Sequence, residues 1–349
     1  MSIICNKGFS YTFWCNNDFA FFGINSNSDG NHSVIKDLNL TGSAKGASYT
    51  GALIGYTNNT GLRIQHVTVT DFTAQGRDVG ALVGGIGYGS NLLVTRTDNG
   101  VTVTDATFDH ITVTSVKVSG TQTGGGLLGR SRATALKVQN VMLRYTIVTG
   151  TDYAGGFIGY QGNTVATQSD YWLLQYSTAT NLTVVSTSVN GAAGGILGFA
   201  EFGKYELRNQ QYEWIELDIR SNNTVRAASN YAATMLGKCV GTSTADKSYG
   251  FYGYNVYDHG MKLKRGESST KTISTASVEY KYAYGNGNAK CPVDFRIVHY
   301  TPFIEMMKQG VSYLPDYVNG RTFVTTSDLA PEVMMNTVEN DDSEAHMVL

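Results

Sequence analysis

The residues best placed to do chemistry lie in the stretch Glu201 to Arg220, where eight of twenty residues are charged against 15% for the whole chain. Within it, Tyr212-Glu-Trp-Ile-Glu-Leu-Asp-Ile-Arg220 alternates as a half-buried strand does. Tyr212, Trp214, Glu216, Asp218 and Arg220 then share one face, and Ile215, Leu217 and Ile219 share the other. Carboxylates two apart on a strand are separated by ~7 Å, the range in which inverting glycosidases pair a general acid with a water-activating base. An aromatic ring beside them, Tyr212 or Trp214, would stack on a sugar. The plainer reading of the same pattern is a solvated outer strand. Glu216 and Asp218 are therefore catalytic residues of an alternative reading, and the leading one assigns none.

Other chemistries find less support. The six histidines, His32, His66, His110, His259, His299 and His346, form no H-E-x-x-H and no close pair along the chain, so neither a zinc hydrolase nor any other metal site is expected. His66 and His110 each precede an apolar strand position and read as structural or exposed side chains. No G-x-S-x-G occurs, and the glycine clusters lack the Lys-Ser/Thr of a phosphate loop, so no cofactor is expected. Tyr280, Tyr282 and Tyr284 fall on one face of an alternating segment, Thr270 to Tyr284, and suit either a sugar platform or core packing. With Tyr212 and Trp214 they are the candidate ligand-binding residues. Asp71, Asp78, Asp98, Asp105 and Asp109 are scattered singly, without the recurrent register of a calcium-dependent polysaccharide lyase. Cys5, Cys15, Cys239 and Cys291 sit at no metal-ligand spacing and read as buried thiols, with three disulfide connectivities open.

What must position these residues is visible in the composition. The 349 residues include 40 glycines but only 4 prolines, and 42% are apolar. Collagen or a disordered Gly/Pro linker would need both residues high, and that apolar content is too great for a chain that stays unfolded. A net charge of −2, a pI near 6.3 and no basic stripe remove the electrostatic case for a nucleic-acid partner. No apolar run approaches 18 residues, so no membrane-spanning helix is expected. The opening Met1-Ser-Ile-Ile-Cys-Asn-Lys-Gly lacks the regions of a secretory signal, which leaves use without secretion or a fragment of a longer chain.

One short phrase recurs. Its copies are Phe19-Ala-Phe-Phe-Gly23, Gly51-Ala-Leu-Ile-Gly-Tyr56, Gly80-Ala-Leu-Val-Gly84, Gly125-Gly-Leu-Leu-Gly129, Gly155-Gly-Phe-Ile-Gly-Tyr160 and Gly194-Gly-Ile-Leu-Gly-Phe199, with a decayed seventh at Ala233-Thr-Met-Leu-Gly237. Their starts are 32, 29, 45, 30, 39 and 39 residues apart, so the unit is about 30 residues with insertions that map to loops. Between copies, segments such as Leu62-Arg-Ile-Gln-His-Val-Thr-Val-Thr70 alternate with period two and are rich in Val, Ile and Thr. Units this small cannot bury a face alone, whereas coils stacked at ~4.8 Å can. The central apolar pair of each phrase is expected to send one side chain inward and one outward, and its glycines to supply positive φ at coil corners and close backbone approach. All four prolines, Pro292, Pro302, Pro315 and Pro331, follow residue 291, as expected if the strands before it donate to ladders on both sides.

The phrase with its β-rich follow-on, Ile35-Lys-Asp-Leu-Asn-Leu-Thr-Gly42, resembles the GLUG repeat of surface and adhesin-like proteins, over about residues 19 to 240. The resemblance implies a right-handed parallel β-solenoid on a surface or extracellular protein, and it implies no catalysis. The expected fold is all-β: a right-handed parallel β-helix of about seven irregular coils over 1–240, followed over 241–349 by a β-rich cap or small α+β domain with an acidic tail. The expected function is a non-enzymatic structural or adhesive role at a cell or virion surface or in an extended assembly, with a protein or surface glycan as partner. A carbohydrate-active β-helix enzyme is the alternative.

Overall fold

The computed structural model describes residues 2–4, 8–14, 22–25, 34–57, 62–87, 96–98, 101–103, 106–133, 135–163, 171–202, 210–218, 223–229, 231–240, 249–257, 261–266, 269–272 and 293–299. Every regular element among them is a β-strand. Among the described residues all pairings are parallel except two: Arg96–Asp98 with Val101–Val103, and Lys262–Arg265 with Lys271–Thr272.

The parallel pairing follows the repeat. Strands Val34–Lys45, Arg63–Gly80, Ala106–Thr114, Ala135–Arg144, Tyr171–Thr180, Gln210–Asp218, Tyr249–Tyr257 and Val293–His299 succeed one another in one column, each bonded to the strand of the copy before and after it. The ladder thus runs on beyond residue 240. The glycine phrases form a second sheet of seven strands, in the order Leu236–Val240, Leu197–Phe202, Ile158–Asn163, Leu128–Ser131, Val83–Ile86, Ile54–Thr57 and Phe22–Asn25. Its register matches equivalent phrase positions: Ile54, Val83, Leu128, Ile158, Leu197 and Leu236 are successive partners, so the decayed seventh copy is in register.

Stacking copies in register stacks like on like. Ile35, Ile64, Phe108, Val138 and Leu174 form one buried ladder, and Leu40, Val69, Val113, Leu143 and Ala179 another. Ala74, Val118, Val148, Val184, Val225 and Leu263 line a third wall of the same core. Each fully buried aliphatic side chain in these rows contributes ~1.5–3 kcal/mol.

Two details differ from expectation. Among the described residues both members of the central apolar pairs are buried: Leu53 and Ile54, Leu127 and Leu128, and Ile196 and Leu197 are at most 2% exposed. The first member sits in a bend and the second opens the strand, so the pleat does not carry from one to the other. Nor do the phrase glycines supply positive φ. That conformation falls on non-glycine residues at two corners of the unit: Asp37, His66, His110, Asn140 and Tyr176 at one, and Asp71, Ser115, Tyr145 and Asn181 at the other, with φ between 49° and 59°. The corners exploit the tolerance of Asp, Asn and His for this region. The other glycine role is borne out. A Cβ on Gly125 would collide with the Leu128 carbonyl oxygen and lie 2.8 Å from the Gly159 amide nitrogen of the next copy, and one on Gly155 would meet Ile158 and Gly198 in the same way.

These two uses of the backbone separate experimentally. Gly125→Ala should lower the unfolding free energy in urea by about 3 kcal/mol through overpacking. Ser115→Gly, at an exposed corner with φ 56°, should change it by less than about 1 kcal/mol, because relief of left-handed strain offsets the added chain entropy. Equal losses would contradict the assignment.

Candidate functional site

Two rows of polar and aromatic side chains run across successive copies. The first sits at the corner where the long strands turn. Lys36 pairs with Gln65 and Leu38 with Val67, which sets Asp37 opposite His66. By the same logic His110 follows His66, then Asn140, then Tyr176, and then Glu216. A left-handed residue turns the chain, so its side chain points outward while the next residue enters the core: His66 is exposed and Val67 buried, His110 exposed and Ile111 buried.

The resulting cluster is tightly connected. The His66 and His110 rings meet edge to face with centroids 5.0 Å apart. Nδ1 of His66 lies 3.4 Å from Asp37 Oδ1, and Nδ1 of His110 lies 2.7 Å from Asp109 Oδ1. Asn140 Nδ2 donates to the same Asp109 oxygen at 2.9 Å, and Gln175 Nε2 donates to Gln139 Oε1 at 3.0 Å. Burial pushes the Asp109 carboxyl up, but hydrogen bonds from Asn140 and Gln139 and the His110 charge outweigh it and hold the group below the usual carboxylate range. The two histidines are no close pair along the chain, and their contact arises only in the fold. Forty-four positions separate the two residues along the chain, but the fold puts them on adjacent strands.

The second row flanks the glycine phrase on both sides. Two residues before each phrase stand Tyr49, Asp78, Thr123, Tyr153, Ala192 and Tyr231, which are successive strand partners. Five residues after its start stand Tyr56, Gly85, Arg130, Tyr160, Phe199 and Lys238, likewise partners. Tyr153 stacks on Phe199 at 4.3 Å between centroids, Tyr49 lies 4.7 Å from Tyr56, Arg130 covers the Tyr160 ring at 4.1 Å, and Lys238 covers Tyr231 at 4.4 Å. Gly85 fits because the Tyr49 ring fills its place: an added Cβ would lie 2.7 Å from Tyr49 Cε1.

Asp78 is the charged centre of this row. Its carboxylate is fully buried, accepts from Arg77 Nε at 2.9 Å, and lies 3.7 Å from Arg130 Nη1. Burial pulls the Arg77 guanidinium down, but the Asp78 hydrogen bond and charge, with Tyr49, hold it above its ordinary value. Asp78 Oδ1 and Arg130 Nε have no hydrogen-bond partner among the described residues. Fixed offsets from the repeated phrase are the signal by which this row could have been found in the sequence.

Of the residues singled out from the sequence, Tyr212, Trp214, Glu216 and Asp218 lie on strand Gln210–Asp218, and their side chains fall outside the described residues. The register of that strand against the preceding copy is defined. Ile215 pairs with Gln175 and Leu217 with Ser177, leaving Glu216 opposite the left-handed corner residue Tyr176. Trp214 is the register partner of core residue Leu174, whereas Asp218 partners half-buried Thr178. Tyr280, Tyr282 and Tyr284 lie outside the described residues. No protein-family model, no curated protein and no solved structure matches the chain. Among the described residues no group of three or more His, Cys, Asp or Glu side chains is placed to hold a metal, and no helix is long and apolar enough to cross a membrane. Cys239, read from the sequence as a buried thiol with its disulfide pairing open, is buried and disulfide-bonded.

The Asp109 network makes a pH prediction. Its folded pKa lies below its unfolded value, so its stabilising contribution is present above the unfolded value near ~3.9 and is lost as pH falls through the folded one. Asp109→Asn should therefore flatten the fall in thermal midpoint on acidification below pH ~4. An unchanged acid limb in the variant would remove the carboxylate from this role.

Proposed function

We propose that the chain is a non-enzymatic structural or adhesive protein built as a right-handed parallel β-solenoid of about seven coils, acting at a cell or virion surface or within an extended assembly. The observation that carries the reading is the in-register parallel pairing of seven glycine phrases, with half-buried Tyr49, Tyr56, Tyr153 and Tyr231 and the cations Arg77, Arg130 and Lys238 flanking them in rows. Coils that contact only their neighbours form an extended, rigid body. Rings and cations repeated at the strand spacing suit a partner that is itself extended, such as a surface glycan or a protein edge. The disulfide at Cys239 fits an oxidising location outside the cytosol. Resemblance of the phrase to the GLUG repeat points the same way. The alternative, a carbohydrate-active enzyme using Glu216 and Asp218 with Trp214 as platform, draws support from the register of Glu216, which lies opposite Tyr176.

A glycan array and a depolymerisation assay on the same panel separate the two. The structural reading expects reversible retention without new reducing ends, weakened by Tyr231→Ala. Reducing ends released by the wild type and lost in Glu216→Gln would replace it with the enzyme.

A further inference from the structure

We infer that His66 and His110 form a binding site for a divalent first-row transition metal, clipping two adjacent copies of the repeat together. Each Nδ1 faces a carboxylate: that of His110 is hydrogen-bonded to Asp109 at 2.7 Å, and that of His66 lies 3.4 Å from Asp37. At His110 a Nδ1–H donated to the carboxylate fixes the tautomer that leaves the Nε2 lone pair available, and the Asp37 carboxylate faces His66 Nδ1 on the same side. The two side chains are 58% and 57% exposed, open to an ion from solvent. Spacing agrees. An ion ~2.1 Å from one nitrogen of each ring, with a bond angle between square and tetrahedral, sets the ring centroids about 5 Å apart. The observed separation is 5.0 Å.

Both rings are also pre-positioned. The left-handed backbone at His66 and His110, φ 51° and 53°, turns each side chain outward from strands that pair in register, so ion binding orders little that is not already ordered. Two protein nitrogens leave the remaining positions to water, and imidazole donors select Zn²⁺, Cu²⁺ or Ni²⁺ over Mg²⁺ or Ca²⁺. The neighbouring corner residue Asn140, at φ 54°, shows which replacement the turn accepts without a ring.

The test titrates Zn²⁺ calorimetrically into the full chain at pH ~7.5 and compares wild type with His66→Asn, His110→Asn and the double variant, following the thermal midpoint of each. Wild type should bind one Zn²⁺ at least ~10-fold more tightly than either single variant. Zn²⁺ should raise its midpoint, and the rise should be absent in the double variant. The other four histidines provide a background common to all variants. Equal affinity in wild type and double variant, or a midpoint shift that survives in the double variant, would overturn the site. Cu²⁺ electron paramagnetic resonance on the wild type is independent of any variant: hyperfine structure from two imidazole nitrogens supports the site, and one or none rejects it.

Discussion

Everything in this fold depends on one constraint, the parallel registration of each copy on the next. Backbone hydrogen bonds at a spacing of ~4.8 Å place every residue directly against its equivalents in the neighbouring copies. A residue is therefore chosen less by its neighbours along the chain than by what it can stack on. Aliphatic positions stack into dry rows such as Leu40, Val69, Val113, Leu143 and Ala179, all fully buried. Glycine occupies the places where one copy's carbonyl oxygen already fills the space a Cβ would need. Polar residues follow the same rule: Gln139 is bonded by Gln175, and Asp109 by Asn140.

Registration also explains how charges are tolerated near the core. Asp78 is fully buried, yet the copy that carries it supplies Arg77 and the following copy supplies Arg130. Removing one partner of such a group typically leaves a buried charge uncompensated, which costs more than the pair contributes. The rings around it are shared in the same manner, with Tyr153 and Tyr160 of one copy resting on Phe199 of the next.

Strand type and pairing order were legible because the phrase spacing encodes them: aligning Gly51, Gly80, Gly125, Gly155 and Gly194 reproduces the observed partners without adjustment. The corners were less legible. Positive φ at Asp37, His66 and Asn140 has only a weak residue preference, and one left-handed residue inverts the alternation on which a face assignment relies. Tyr212 to Asp218 reads as a single amphipathic strand, yet its register sets Glu216 opposite the left-handed Tyr176 of the preceding copy. Proximity of His66 and His110 was hidden for another reason. Pairing in the third dimension brings together residues whose separation along the chain includes the long insertion between Ile86 and Ala106.

The direction of the inter-copy hydrogen bonds has a mechanical consequence. They point along the line that joins successive copies, so a pull on the two ends along that line loads them in tension and not in shear. Copies would then detach one after another from an end, each releasing ~30 residues and roughly 100 Å of extended chain. Such a protein lengthens in steps and absorbs work at each, while the copies still attached keep their structure.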